Sequence, residues 1–314
     1  MKEHLIESEF VATPNLDVSL FTVNSLRRYA KGSVQFSPLK SMQRKNKKIT
    51  IGILGYGNMG QAIVARLRTR PTFRAKAAIM VHSRGLQSAR SVAVLSSAAE
   101  LLARSRVLFV CVKPQDFYEF TPFSRLESEH LIVVSIMAGV RIAHIQRIFP
   151  GAKAVRTMPN LPIQIGQGVI GWYHKAGVLA STERALLEKM FSTFGFGMKL
   201  ANERMLDALT AASGSGPAYV FLFASALIKA ARQLGFSKTT AERIVSQTII
   251  GSLAYRAFHR HSDFNVLIQK VRSKKGATEA ALNALGVAKY YKQWERAIAR
   301  AYRRAKEISS YDIT

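Results

Sequence analysis

The chain has 314 residues, 46 Lys and Arg against 19 Asp and Glu, and a formal net charge of +27. Its 48% hydrophobic and 9% aromatic content excludes global disorder, and the length leaves room for roughly two domains. One cysteine, Cys111, excludes an intrachain disulfide framework and a CxxC metal site, while the charge raises nucleic acid, an anionic surface or phosphorylated cofactors as partners.

Residues 1–48 show no sustained periodicity and read as a poorly ordered basic extension. Their acid-poor later part resembles an organellar transit segment, but Glu3, Glu7 and Glu9 oppose that reading. A cytoplasmic protein is expected. The extension carries nine basic and four acidic residues, so +22 of the charge lies on residues 49–314. The longest apolar run, Ala218 to Ile228, is closed by Lys229 and is short for a bilayer, so no membrane partner is expected.

From Lys48 the texture changes. ITIGILG is a β-branched run stopped by glycine, as in a buried parallel strand. NMGQAIVARLRTR follows with Met59, Ile63 and Leu67 at helical spacing. AAIMVHS, VLFVCVK, LIVVSIMAG, KAVRTMPN and GVIGWYH continue the strand series, and Ala98 to Arg104 reads as a helix. Beyond about Ala201 the strand signal ends. MLDALTAASG, PAYVFLFASALIKAARQLG, KTTAERIVSQTIIGSLAYRAF, TEAALNALG and YYKQWERAIARAYRRAKEIS all read as helices. The predicted fold is α/β. A Rossmann-like, doubly wound, mostly parallel sheet over 49–200 is followed by an all-helical C-terminal domain over 201–314.

Gly55, Tyr56, Gly57, Asn58, Met59 and Gly60 form GxGxxG between a strand and a helix, the context a dinucleotide site requires. The first glycine permits the turn, the second admits a pyrophosphate, and the third lets helix and strand pack closely. An ordinary strand–turn–helix joint is the bland alternative. An NAD enzyme usually places an acid at the end of the second strand. This chain has Ser83 and Arg84 there, so NADPH is expected, with NADH as the alternative. Val112, Lys113 and Pro114 close another strand at the carboxyl edge, where such sheets bind ligands. Cys111, in an apolar strand, reads as a buried inert thiol. The seven histidines form no ligand motif, and no metal is expected. The basic aromatic C-terminal helix could grip nucleic acid, but such a stripe is more often packing, so nucleic acid is an unlikely partner.

Four further segments fall in order with GYGNMG and VKPQ. They are VRTMPN at 155–160, AASGSGPAY at 211–219, QTIIG at 247–251 and SKKGATEAAL at 273–282. Together, over about residues 50–290, the chain resembles pyrroline-5-carboxylate reductases. The resemblance implies NAD(P)H-dependent reduction of 1-pyrroline-5-carboxylate to L-proline by hydride transfer to a cyclic imine. It also implies a homodimer built through the helical domain, with further assembly of dimers in many members. It places Ser273, Gly276, Ala277 and Thr278 at the substrate, with Thr278 as the catalytic residue near the ring nitrogen. Glu203 would line the same site. Ser213, Gly214, Ser215, Gly216 and Pro217 would form its floor, and Ala138 and Gly139 would touch the cofactor.

This chain departs from the family at two places. Lys274 and Lys275 stand where the loop usually reads SPGGTT or SKGGTT, and a positive φ would strain Lys275. Ala98 stands where many members carry an asparagine at the cofactor ribose. The alternatives are a paralogous reductase of another small imine or keto acid, and a non-catalytic nucleic-acid-binding role of the basic surface.

Overall fold

The computed structural model describes residues 48–310 apart from 72, 74–76, 90, 91 and 261. The expectation for the N-terminal extension therefore lies almost wholly outside the described residues. The first half alternates strands and helices. In chain order these are β1 (Ile49–Leu54), α1 (Asn58–Thr69), β2 (Ala77–His82), β3 (Ala93–Val94), α2 (Ala98–Arg104) and β4 (Val107–Val110). Then come α3 (Pro114–Tyr118), α4 (Arg125–Ser128), β5 (Ile132–Ser135), α5 (Ile142–Ile148), β6 (Lys153–Pro159), β7 (Gly168–Tyr173), α6 (Ser181–Phe191) and β8 (Gly195–Lys199).

These eight strands form one sheet in the order β3-β2-β1-β4-β5-β6-β7-β8. All neighbours run parallel except β6 and β7. The chain leaves β1 towards β2 on one side and returns to β4 on the other, so the order switches direction beside β1. Open α/β sheets bind ligands at such a switch. Both faces are covered. One core holds Ile51, Ile53, Phe109, Val134, Trp172, Phe191 and Phe194. The other holds Leu54, Leu108, Val110, Val133, Phe117 and Phe149. Burial on two faces is why these strands read as unbroken apolar runs.

The second half is helical: α7 (Met205–Leu209), α8 (Gly216–Gln233), α9 (Lys238–Phe258), α10 (Phe264–Val271), α11 (Ala277–Leu285) and α12 (Val287–Ser310). Residues Thr210–Gly214 form a π-helical turn between α7 and α8. Met205–Gln233 is a helical run long and apolar enough, by length and composition, to cross a membrane, which amends the shorter span expected from sequence. None of α8 is buried, and Phe221, Leu222, Leu253, Phe258 and Phe264 all lie exposed. Exposed apolar surface on this scale marks a contact surface. The aromatic stripe of α12 does pack: Trp294 meets Tyr219 edge-on at 5.6 Å between ring centroids.

Glu183, in the first turn of α6, joins that helix to the sheet. It accepts bonds from Lys153 Nζ at 2.7 and 2.8 Å, from Arg106, and from the Ala180 N–H at 3.0 Å. Burial pushes its carboxyl up, but the Lys153 hydrogen bond, the Ala180 N–H and the charges of Lys153 and Arg106 outweigh this and hold it below its ordinary value. A folded value below the unfolded one stabilises the native state above about pH 4.3, and this contribution is lost as pH falls through the folded value. Glu183→Gln should therefore cost about 1–2 kcal/mol in urea unfolding at pH 7. The gap to wild type should close as the wild-type carboxyl protonates below about pH 4. An equal loss at both pH values would contradict this assignment.

Candidate active site

Gly55 follows β1 with φ +94°, a left-handed conformation that favours glycine. A side chain there would also meet the Cys111–Val112 backbone at 2.8 Å. The Gly55 N–H donates to His82 O at 2.8 Å and the Cys111 N–H to Leu54 O at 2.7 Å, which ties the ends of β2, β1 and β4 together. Gly57 caps α1 without a side-chain bond and faces open space. Gly60 lies against the carbonyl of Gly55, so α1 packs close to the strand. Free N–H groups at an uncapped helix start, with no acid in the first turn, suit an anion. These residues fit a dinucleotide's pyrophosphate. Tyr56 and Met59 are half-buried against the core, and Asn58 is exposed.

Beside this cradle lies a cavity of about 280 Å³ lined by Gly55, His82, Ser83, Arg84 and Val112, with Asp116, Glu119 and Phe120 opposite. Arg84 is exposed and pairs with Glu119 Oε2 at 3.2 Å. Lys113 is the exposed N-cap residue of α3, and Pro114 begins that helix. Cys111 sits one residue beyond β4, and burial pushes its thiol up, so a reactive thiolate is disfavoured.

At the carboxyl end of β6 two of the singled-out segments meet. Asn160 Nδ2 donates to Ser213 Oγ at 3.2 Å, while its Oδ1 accepts the Val169 N–H at 2.8 Å. A side chain at Gly214 would come within 2.7 Å of Met158. The π turn is closed by the Ser215 N–H on Thr210 O at 2.9 Å, and Pro217 lies in the first turn of α8. Ser213 to Pro217 are half-buried. A local π turn of this kind often marks a functional segment, because it re-aims side chains without ending the helix.

Glu203, expected to line the substrate site, also joins two elements of the fold. Its Oε1 accepts the Ile142 N–H at 2.8 Å, satisfying the start of α5, and lies 3.4 Å from Arg156 Nη1. Arg156, 2% exposed, also binds Asp207 Oδ1 at 2.8 Å. Asp207 accepts from Ser309 Oγ at 2.7 Å, which brings the end of α12 to the sheet. Gly139, with φ +79°, is packed against Ile308 of the same helix, and Ala138 beside it is half-buried. The 138–139 turn therefore carries the last helix as well as facing the carboxyl edge. Nothing in the sequence beyond an arginine inside an apolar strand signals this cluster.

Ser273 to Gly276 form the turn before α11, with Gly276 as its N-cap residue, and Ala277 and Thr278 begin the helix. No side chain caps this end, so the first N–H groups of α11, from Ala277 onward, have no side-chain partner there. The Gly276 N–H donates to Ser273 O at 3.0 Å. Lys275 does adopt φ +58°. Its N–H donates to Glu279 Oε2 at 2.7 Å, and Arg272 Nη2 reaches Glu279 Oε1 at 2.7 Å. The Lys275 N–H first, then Arg272, hold the Glu279 carboxyl below its ordinary value. Glu279 thus closes the turn that a non-glycine residue strains. Lys274 and Lys275 are exposed, and α11 packs on α12.

The structure thus gathers Gly55 to Gly60, Ser83, Arg84 and Val112 to Pro114 around the switch beside β1. It sets Ala138, Gly139 and Ser213 to Pro217 at ends of strands on the same edge. Ser273 to Gly276 form a separate turn of the helical half, and Ala277 and Thr278 begin α11 after it.

The description "NADP oxidoreductase coenzyme F420-dependent" belongs to the family model matching residues 50–139. "Pyrroline-5-carboxylate reductase dimerisation" matches residues 203–308. The chain is 34% identical over 264 residues to the pyrroline-5-carboxylate reductase of Aquifex aeolicus, covering 82% of this chain and 97% of the relative. It is 33% identical over 269 residues to that of Pseudomonas aeruginosa, covering 82% and 96%. The Coxiella burnetii pyrroline-5-carboxylate reductase structure is 28% identical, with a TM-score of 0.70 over 83% of this chain and 98% of that one. The Plasmodium falciparum pyrroline carboxylate reductase with NADP bound shares the fold, with a TM-score of 0.74, 24% identity, and coverage of 84% and 99%. Near-complete coverage of relatives above 30% identity, on this sheet and these helices, places the chain in the pyrroline-5-carboxylate reductase family.

Proposed function

We propose that this protein reduces 1-pyrroline-5-carboxylate to L-proline with NAD(P)H, as a homodimer that uses the exposed faces of the helical half. The observation that carries the reading is one shared edge. The glycine cradle after β1 and the Ser213–Pro217 turn held at β6 lie at carboxyl ends of strands in one sheet. A cofactor laid from the Arg84 cavity across the cradle would run along that edge. We divide the chain into a dinucleotide-binding domain over 49–200 and a helical substrate and dimerisation domain over 201–314, and place the protein in the cytoplasm.

A bound nicotinamide would supply the hydride to the carbon of an imine whose ring nitrogen is already protonated, giving the secondary amine with no further proton needed. The protein's part is orientation and charge stabilisation. The uncapped N–H groups of Ala277 and Thr278 suit the substrate carboxylate, and Gly276, whose own N–H is held by Ser273 O, sets the turn that presents them. The Thr278 hydroxyl serves the ring nitrogen, and Ser273 shapes the turn. Ser213 to Pro217 form the floor. No acid–base pair is required, because the imine can enter protonated. Ser83 and Arg84 favour the phosphorylated cofactor.

The purified protein should oxidise NADPH when pyrroline-5-carboxylate is added. A folded, cofactor-binding protein that turned over other cyclic imines or 2-keto acids but not this one would refute the substrate. Thr278→Ala should raise KM for the imine about tenfold, the loss of one hydrogen bond to a charged group, with cofactor affinity nearly unchanged. Equal loss of both would count against Thr278 at the substrate. Arg84→Ala should narrow the NADPH-to-NADH ratio of kcat/KM by roughly tenfold. An unchanged ratio would remove Arg84 from cofactor selection.

A further inference from the structure

The cavity beside Gly55 contains an arginine already engaged by acids. Arg84 Nη2 lies 3.2 Å from Glu119 Oε2 and 4.0 Å from Asp116 Oδ1. Both acids face it from the segment of α3, across a cavity they line together with Ser83 and Gly55. The usual acid at the end of β2 is missing from this chain. The same cavity nevertheless receives two carboxylates from another element.

Their chemistry opposes that of Arg84. A phosphomonoester carries about −1.5 to −2 charges near pH 7, so carboxylates at its site repel it. It must also take Arg84 from Glu119. An unmodified ribose meets no such barrier, because its 2′-hydroxyl can donate to a carboxylate. The side chains of Arg84 and Glu119 are 76% and 66% exposed, so their pair is weak and exchangeable. Arg84 can be recruited by a phosphate, but the acids remain at the cavity wall.

We infer that Glu119, with Asp116 beside it, is a specificity-determining residue that narrows the preference for a 2′-phosphorylated cofactor set up by Ser83 and Arg84. The inference rests on the cofactor reading of this cavity given above. It makes selectivity a balance between one cation from the end of β2 and two acids from the α3 segment. The cofactor preference is consequently smaller than Arg84 alone would produce.

Binding of adenosine 2′,5′-bisphosphate and of 5′-AMP to the full chain, measured by calorimetry, tests this without relying on turnover. Glu119→Gln should tighten the bisphosphate about two- to fivefold and leave 5′-AMP no tighter. Asp116→Asn should act in the same direction, by less. The gain should shrink at high salt, because both groups are exposed. Kinetic NADPH-to-NADH ratios should follow the same order. If wild type binds both probes and neither variant moves their ratio, the inference falls while the cofactor reading stands. If wild type binds neither probe, both fall.

Discussion

A buried guanidinium holds the two halves of this molecule together. Arg156 rises from the interior of β6 and is almost wholly removed from water. A charge in that position needs a partner, and Asp207 provides it from the first helix of the second half. Asp207 in turn binds Ser309 at the far end of the chain. Breaking such a pair by deleting one member typically costs about 3–5 kcal/mol, because it leaves an uncompensated charge. Arg141 adds a bond from Nε to Ser309 O at 2.8 Å. The sheet, α7 and the last helix are therefore tied to one point. That point lies two residues before Met158 and four before Asn160, the residues that meet Ser213 and Gly214.

This anchoring matters because the helical half buries little of its own. α9 contributes only Ala241 and Val245 to the interior, and α8 contributes nothing. The apolar faces of these helices are a surface for a second chain, consistent with the dimerisation family model over the same residues. The sheet needs no such help. Its strands are covered on both faces, and its cradle is fixed by backbone bonds between strand ends. The glycine cradle is thus fixed by bonds within one chain, whereas the helical half leans on its tether and leaves its apolar faces exposed.

The turn before α11 shows how a departure from the family pattern is absorbed. Lys275 takes a left-handed backbone that glycine would adopt without strain. Such a conformation persists where surrounding contacts over-determine it. Glu279 provides that contact by accepting the strained residue's own N–H while holding Arg272. The substitution and its support lie four residues apart. The turn presents two exposed cations, Lys274 and Lys275.

Periodicity revealed most of the sheet, because strands buried on both faces cannot disguise their apolar runs. It missed β8, since GFGMK is glycine-rich, lies at the sheet edge and exposes Phe196. It missed β3 because two residues carry no pattern. The glycine fingerprint, the basic end of β2 and the strain at Lys275 were all legible, because each depends on local backbone chemistry. What lay beyond reach was contact between distant segments. The bonds of Arg156 to Asp207 and Ser309, of Asn160 to Ser213, and of Arg84 to Glu119 join residues 35 to 153 positions apart. Six of the eight strands, the nucleotide turn and the family could be read from residue order alone. The tertiary structure decided which charges meet, because pairing follows the strand order, and the strand order is a property of the folded sheet.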